Sequence, residues 1–340
     1  MESDAFVSYP PVDTDAKLKI LRGARVLVTG GAGFVGSNLA ARLVNLGAQV
    51  VVLDDLSTGR QELLPAGLAD FVHGSVTDAQ LVEELVAQAE LVLHLAVRNI
   101  ILSTKQVRED YEVNIGGTLN VLIAASRRRP LPRIVFTSSA SIYGNPRGLP
   151  ISEDDAISIL NPYAASKLAG ESYCNAFYEM YQLPVAMVRY SNIYGVNQSP
   201  RNPYCGVVSK FFVSCMNGDA MQIHGSGLQT RDFTYVDDAV EATLLAALTP
   251  RAEGEVFNVG SGCETSVRDL AKQVALAVGA SSKVEYVDRR DIDNVQRRVM
   301  SIEKARRILR WVPATPLDTG LARTYEWLRN AGHTHPTTGT

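Results

Sequence analysis

Tyr163 and Lys167 stand four residues apart, a spacing that could move a proton. On a helix that spacing puts both side chains on one face. A free phenol titrates near ~10, too high for a good base at neutral pH. A neighbouring ammonium favours the phenolate, and the positive ring of an oxidised nicotinamide does the same. Tyr163 is therefore a candidate general base and Lys167 its tuner. On a solvated helix the same pair would be ordinary surface, so its neighbours decide. Thr137-Ser138-Ser139 places a hydroxyl cluster at the end of an apolar run. Gly30-Gly31-Ala32-Gly33-Phe34-Val35-Gly36 is a glycine-rich turn between an apolar run and a helical pattern.

That turn carries Gly31-x-Gly33-x-x-Gly36 in the context the motif needs. Its glycines let the backbone turn tightly and approach a pyrophosphate, which then sits at the positive end of the following helix. Asp54 closes the next apolar run, at the spacing of an acid that binds the adenosine ribose 2′-hydroxyl. A carboxylate there would repel a 2′-phosphate, so the pattern points to NAD. Arg60, a few residues on, keeps the phosphorylated cofactor open.

The elements that must position these groups follow from periodicity. Short β-branched runs are expected to be strands: Arg25-Val-Leu-Val-Thr29, Gln49-Val-Val-Val-Leu-Asp54, Phe71-Val72, Leu91-Val-Leu-His-Leu95, Arg133-Ile-Val-Phe-Thr137, Val185-Ala-Met-Val-Arg189 and Glu255-Val-Phe-Asn-Val259. Helical patterns lie between them, the first running from Phe34 to Leu46. Strands alternating with helices imply parallel crossovers, and uninterrupted apolar runs suit strands covered on both faces. The expected class is α/β, a doubly wound Rossmann fold with a parallel sheet. After Arg189 the rhythm breaks, with residues 191–232 rich in Asn, Gly, Pro and Ser around one helical stretch, Val207–Met216. The expected division is an extension at 1–22, a cofactor domain from 23–190 plus 233–261, a smaller discontinuous α/β domain from 191–232 plus 262–330, and a tail at 331–340.

Composition excludes several classes. The 340 residues carry a formal net charge of −3, which gives no basic face for nucleic acid. The four cysteines, Cys174, Cys205, Cys215 and Cys263, show neither a C-x-x-C pair nor zinc spacing, and so read as reduced thiols without a metal site. His94 ends an apolar run and reads as structural. No signal-peptide pattern opens the chain and no apolar stretch reaches membrane-spanning length, so a cytoplasmic protein is expected. Arg127-Arg-Arg129 follows a helical run, where cations complement the dipole.

Taken together, Gly30-x-x-Gly33-x-x-Gly36, Asp54-Asp-Leu-Ser-Thr-Gly59, Asn114, Thr137–Gly144, Tyr163-x-x-x-Lys167 and Arg189-Tyr-Ser-Asn-Ile-Tyr-Gly195 resemble the extended short-chain dehydrogenase/reductases. More narrowly, residues from about 23 to 330 are similar to nucleotide-sugar epimerases and dehydratases. The resemblance implies an NAD-binding domain and a nucleotide-sugar-binding domain. It puts Gly30, Gly33, Phe34, Val35, Gly36, Asp54, Ser57, Val76, Leu95, Ala96 and Asn114 around NAD, with Tyr163 and Lys167. Ser139 and Tyr163 would meet the sugar hydroxyl, Ser138 would lie beside the substrate, and Lys167 would hold the nicotinamide ribose. Asn192 and Arg231 would touch the substrate's diphosphate. Arg290 and Asp291, with Arg289, align loosely with a segment that reaches the nucleotide, and Arg297 and Arg298 would do the same or sit in solvent. Helices near Val107–Ala125 and Tyr163–Tyr181 resemble those that pair in family homodimers.

Related 4,6-dehydratases carry an Asp-Glu pair just after the active-site hydroxyl, where this chain has Ala140 and Ser141, and related decarboxylases have a Glu where Ser141 stands. Without those acids the expected reaction is oxidation at C4 and return of the hydride to the opposite face, a 4-epimerisation. For the substrate, Arg98 in Ala96-Val-Arg98-Asn-Ile-Ile and Arg201 in Asn197-Gln-Ser-Pro-Arg201-Asn-Pro could each form a charge-assisted fork with a sugar carboxylate. Arg201 could equally be a surface or diphosphate-binding arginine. The overall sequence is also similar to actinobacterial UDP-glucuronate 4-epimerases of the moenomycin-antibiotic type, which implies UDP-glucuronate. The alternatives are UDP-glucose 4-epimerase, then UDP-glucuronate decarboxylase or a nucleotide-sugar dehydratase, and lastly an NAD-binding sensor without turnover.

Overall fold

Apolar runs without alternation must be covered on both faces, and here they line up in one parallel sheet. The computed structural model describes residues 14–200, 202, 205–281, 283–289 and 295–331. Its strands are β1 (Arg25–Thr29), β2 (Gln49–Asp54), β3 (Asp70–His73), β4 (Leu91–His94), β5 (Arg133–Ser139), β6 (Val185–Tyr190), β7 (Asn192–Tyr194), β8 (Met221–His224), β9 (Thr230–Tyr235), β10 (Val256–Val259), β11 (Glu264–Ser266) and β12 (Val284–Val287). Seven form the large sheet, in the order β10-β6-β5-β4-β1-β2-β3 with every neighbour parallel. This is the doubly wound α/β arrangement read from the sequence. Successive side chains on a strand bury into opposite layers. Val26 and Val28 of β1 join one apolar cluster and Leu27 the other.

The order of the strands reverses between β1 and β4, which opens a crevice at their carboxyl ends. Register fixes its floor, since Thr29 lies opposite both Leu53 and His94. The turn from Gly30, the end of β2 at Asp54 and the Leu95-Ala96 segment thus leave the sheet at one level.

Two local features differ from the sequence expectation. The helix expected through Val107–Ala125 is α-helical over Val107–Asp110, widens to a π-helix over Tyr111–Gly117, and returns to α-helix over Thr118–Arg127. Such widened turns re-aim side chains and gather at functional sites. The stretch 191–232, which reads as mostly irregular, contains β7, β8 and part of β9. These short strands pair with remote partners: β9 with β7 and β11, and β8 with β12. Three or four residues give too little period to be seen locally.

A buried polar knot ties the sheet to the longest helix, Pro162–Tyr181. Arg189 of β6 donates from Nε and Nη2 to Glu171 at 2.9 and 2.8 Å, and from Nη1 to the Tyr143 hydroxyl at 2.6 Å. Tyr143 in turn donates to Asn258 of β10 at 2.7 Å. No helix among the described residues is long and apolar enough to cross a membrane. Removing one partner of a buried pair strands the other charge, so Glu171→Ala should lower unfolding free energy by about 3–5 kcal/mol. Urea denaturation of the variant and the parent measures this.

Candidate active site

The first wall of the crevice is the glycine-rich turn. Gly30 has φ of 70°, and a Cβ there would lie 2.7 Å from the Ala96 amide nitrogen. At Gly36 a Cβ would overlap the carbonyl oxygen of Gly30. Both positions therefore require glycine if the Phe34–Asn45 helix is to start against β1. That helix is capped by Gly33, which offers no side-chain acceptor. Its first N–H groups face the crevice without an internal partner, the arrangement that receives an anion.

Asp54 ends β2 at 7% exposure. Its carboxylate accepts from the Ala32 and Leu56 N–H groups, both at 2.9 Å. Burial pushes its pKa up, and those two N–H groups pull it back. Around these groups lies a cavity of about 370 Å³. Gly30, Gly33, Phe34, Val35, Gly36, Asp54, Ser57, Val76, Leu95 and Ala96 all border it, as do Arg98, Ser138, Ser139, Tyr163 and Lys167. The buried hydroxyl of Ser138 has no hydrogen-bond partner among the described residues. Free helix N–H groups at one place, a carboxylate acceptor at the next strand end and an unsatisfied hydroxyl fit a dinucleotide laid across the strand ends.

The candidate proton-moving groups come from the other half of the sheet. Asn161 caps the Pro162–Tyr181 helix, its Oδ1 accepting from the Ala164 N–H at 2.9 Å, which places Tyr163 in the first turn beside the end of β5. The Lys167 ammonium, 3% exposed, donates to the carbonyl of Thr137 at 2.7 Å and sits 4.9 Å over the Phe136 ring. Burial depresses it to about 8, against the attraction of Asp110. For Tyr163 burial also dominates, and the phenol is pushed up to about 12 while a hydrogen bond with Ser139 opposes the rise. Desolvation, not the expected lowering by Lys167, sets the phenol in the free protein. A further positive charge in the crevice is what would bring the phenolate within reach.

Ser139 caps the turn Ala140–Tyr143, accepting from the Ser141 N–H at 3.1 Å and donating to the Ser141 hydroxyl at 3.0 Å. Asn114 stands behind the cavity wall on the π-helix. It donates to Asp110 at 2.6 Å and accepts the Arg98 N–H at 2.7 Å. Ser166 donates to the same Asp110 oxygen at 3.0 Å. Sequence reading missed Asp110 and Ser166, although one is four residues from Asn114 and the other adjoins Lys167. His94 is structural, held by Thr29 at 2.7 Å and Thr118 at 3.0 Å, with burial depressing it to about 3 so that it stays neutral.

A second cavity, of about 860 Å³, adjoins the first, with Asn202, Cys205 and Gly206 bordering both. Asn192 of β7 and Arg231 of β9 line it, as does Arg298. Arg98 is engaged by Glu109, its Nη2 lying 3.2 Å from Oε2. Arg201, Arg290 and Asp291 lie outside the described residues. No group of three or more His, Cys, Asp or Glu is placed to hold a metal among the described residues.

The depressed lysine has a consequence for stability. Between about 8 and 10.5 the unfolded chain holds a proton at Lys167 that the folded chain has released. Stability contributed by this group therefore rises with pH across that window, by roughly 3 kcal/mol in all. Lys167→Met should remove that rise, read as the difference between the two proteins' urea midpoints from pH 8 to 10.5.

Comparison with known proteins agrees with this geometry. The model of the NAD dependent epimerase/dehydratase family matches residues 26–260. A UDP-glucose 4-epimerase of Mycolicibacterium smegmatis is 39% identical over 313 residues, covering 90% of this chain and 99% of that protein. A UDP-N-acetyl-alpha-D-glucosaminuronate decarboxylase of Bacillus cytotoxicus is 35% identical over 325 residues, covering 90% and 98%. Among solved structures, MoeE5 in complex with UDP-glucose and NAD superposes with a TM-score of 0.82 at 32% identity, covering 91% of this chain and 99% of that one. The glycine turn, the acid at the end of β2 and the Tyr-Lys helix thus sit within one matched span, and the chain belongs to the NAD dependent epimerase/dehydratase family of enzymes, with NAD as its cofactor.

Proposed function

We propose that the chain catalyses 4-epimerisation of a UDP-sugar, with UDP-glucuronate and UDP-galacturonate as the preferred pair. The observation that carries this reading is the Tyr163–Ser139 contact beside an acid-free turn. The phenol and the hydroxyl meet at the edge of the cofactor crevice, and the turn that follows offers Ala140 and Ser141. Elimination of water across a sugar needs a positioned acid and base beyond the C4 base. The turn holds neither, and Ser141 is spent on Ser139.

Tyr163 takes the proton of the 4-hydroxyl and later returns one to the oxygen. Ser139 holds that same oxygen, and Lys167, anchored on Thr137, keeps its charge beside the base. NAD supplies reversible acceptance of two electrons at C4. Phe34, Val35 and the neighbouring N–H groups would hold its pyrophosphate, Asp54 its adenosine ribose, and Lys167 its nicotinamide ribose. Asn192 and Arg231 would hold the diphosphate of the sugar, so that the smaller sheets and their helices form the sugar-binding part.

The sequence resemblance to moenomycin-type uronate epimerases favours the uronate, as does the relative named for a glucosaminuronate, whereas MoeE5 was solved with UDP-glucose. The 39% identical relative named for UDP-glucose supports the neutral sugar as the second reading. We further place the enzyme in the cytoplasm, in antibiotic assembly, and as a homodimer through its two long helical segments. Val107, Tyr111, Tyr173, Met180 and Tyr181 are exposed there.

Incubation with UDP-glucuronate, UDP-glucose and UDP-N-acetylglucosamine, followed by NMR of the products, tests the reaction. Inversion at C4 without net change in NADH is expected; CO₂ with a UDP-pentose would replace the epimerase by a decarboxylase. Tyr163→Phe should cut kcat by about 10²–10⁴-fold while NAD remains bound. For the cofactor, Asp54→Ala should weaken NAD binding by about 10–100-fold, measured by titration of the cofactor-free protein.

A further inference from the structure

Among the described residues, Arg298 is a buried cation without a counter-ion. The residue is 8% exposed, its Nε has no partner, and no hydrogen bond or ion pair reaches its guanidinium among the described residues. Its strongest charged influence is repulsive. Burial and the neighbouring Arg231 together push it down to about 9, which leaves it protonated at neutral pH. A buried guanidinium in that condition is costly unless something arrives to meet it.

The surroundings say where that something would be. Arg298 lines the second cavity, whose wall also carries Lys210, Arg231 and His224, and the carboxylates of Asp219 and Glu285. Neither carboxylate forms an ion pair with it. The chain immediately after Arg298 is fastened to the loop that follows the turn at Ser139. Ile151 donates to the Val299 carbonyl at 2.9 Å, and Ser301 donates back to Ile151 at 2.7 Å. Met300 packs with Ala140, Ile142 and Tyr143 of the turn itself. Ser141, the hydrogen-bond partner of Ser139, borders the same cavity as Arg298. Arg298 therefore sits at the end of the cavity held against the turn of Ser139, where a sugar would lie. Two other arginines near the site differ from it. Arg98 already has Glu109, and Arg231 donates to its neighbour's carbonyl at 2.7 Å.

Resting on the nucleotide-sugar reading above, we propose that Arg298 is a specificity-determining residue that holds a carboxylate carried by the sugar. A planar guanidinium with free donors matches a carboxylate in charge and in fork geometry. The same residue facing a neutral hydroxymethyl group would stay uncompensated, so the acidic sugar is favoured over its neutral counterpart.

Calorimetric titration of the NAD-loaded protein with UDP-glucuronate, UDP-glucose and UDP tests this. The parent should bind UDP-glucuronate more tightly than UDP-glucose. Arg298→Gln should weaken UDP-glucuronate by about 30-fold or more and leave UDP-glucose and UDP within about two-fold. Arg298→Lys, which keeps the charge, should recover part of the loss. Equal weakening of all three ligands would put Arg298 on the diphosphate and overturn the proposal, and so would unchanged binding of UDP-glucuronate. Bound NAD and the thermal midpoint check folding. If Arg298→Gln fails to fold, the Arg298→Lys and parent selectivities decide between the same outcomes. A parent that prefers UDP-glucose removes the role of Arg298 while leaving the epimerase reading in place. A parent that binds no UDP-sugar removes both.

Discussion

The Lys167 ammonium has almost no access to water, and among the described residues its hydrogen-bond acceptor is the carbonyl of Thr137. Much of the site follows from that bond. An ammonium cannot be buried without acceptors, so the first turns of the Pro162–Tyr181 helix must lie against the end of β5. Once they do, Tyr163 comes beside Ser139, because one stands four residues before Lys167 and the other two residues after Thr137. Asp110 and Asn114 sit behind the pair, and the π-helical turn holds them in place. Asp110 supplies the negative charge that partly offsets the cost of burying Lys167.

This arrangement leaves both candidate proton-moving groups away from their ordinary values in the free protein. The phenol is raised and the ammonium lowered, each chiefly by loss of water. The Tyr163 phenolate would gain stability from the positive ring of an oxidised nicotinamide bound in the crevice, which would tie its strength as a base to the cofactor's oxidised state. The same logic recurs in the second cavity at Arg298. In each place the fold holds a charge or hydroxyl short of partners among the described residues, which a bound ligand would complete. Ser138 in the crevice is a third, neutral example.

Much of the fold was legible because its signals are local. Apolar runs of four to seven residues, helices between them and the terminal Asp54 name the parallel sheet and its crevice. The π-helical turn was not legible, since its i→i+5 bonds leave the same apolar periodicity roughly intact. The short strands β7, β8, β11 and β12 were not legible either, because each is stabilised by a partner far along the chain rather than by its own residues.

By itself, the sequence determined the chemistry available: a glycine turn for a pyrophosphate, an acid for a ribose, and a phenol, an ammonium and hydroxyls for a proton. Those are properties of residue type and near spacing, which backbone geometry converts directly into proximity. Only the tertiary structure decided which charges meet. Arg98 and Arg298 look alike along the chain, yet among the described residues Glu109 lies beside one and a second arginine, Arg231, beside the other. Pairing and burial depend on how separate segments fold against one another, and no local pattern encodes them.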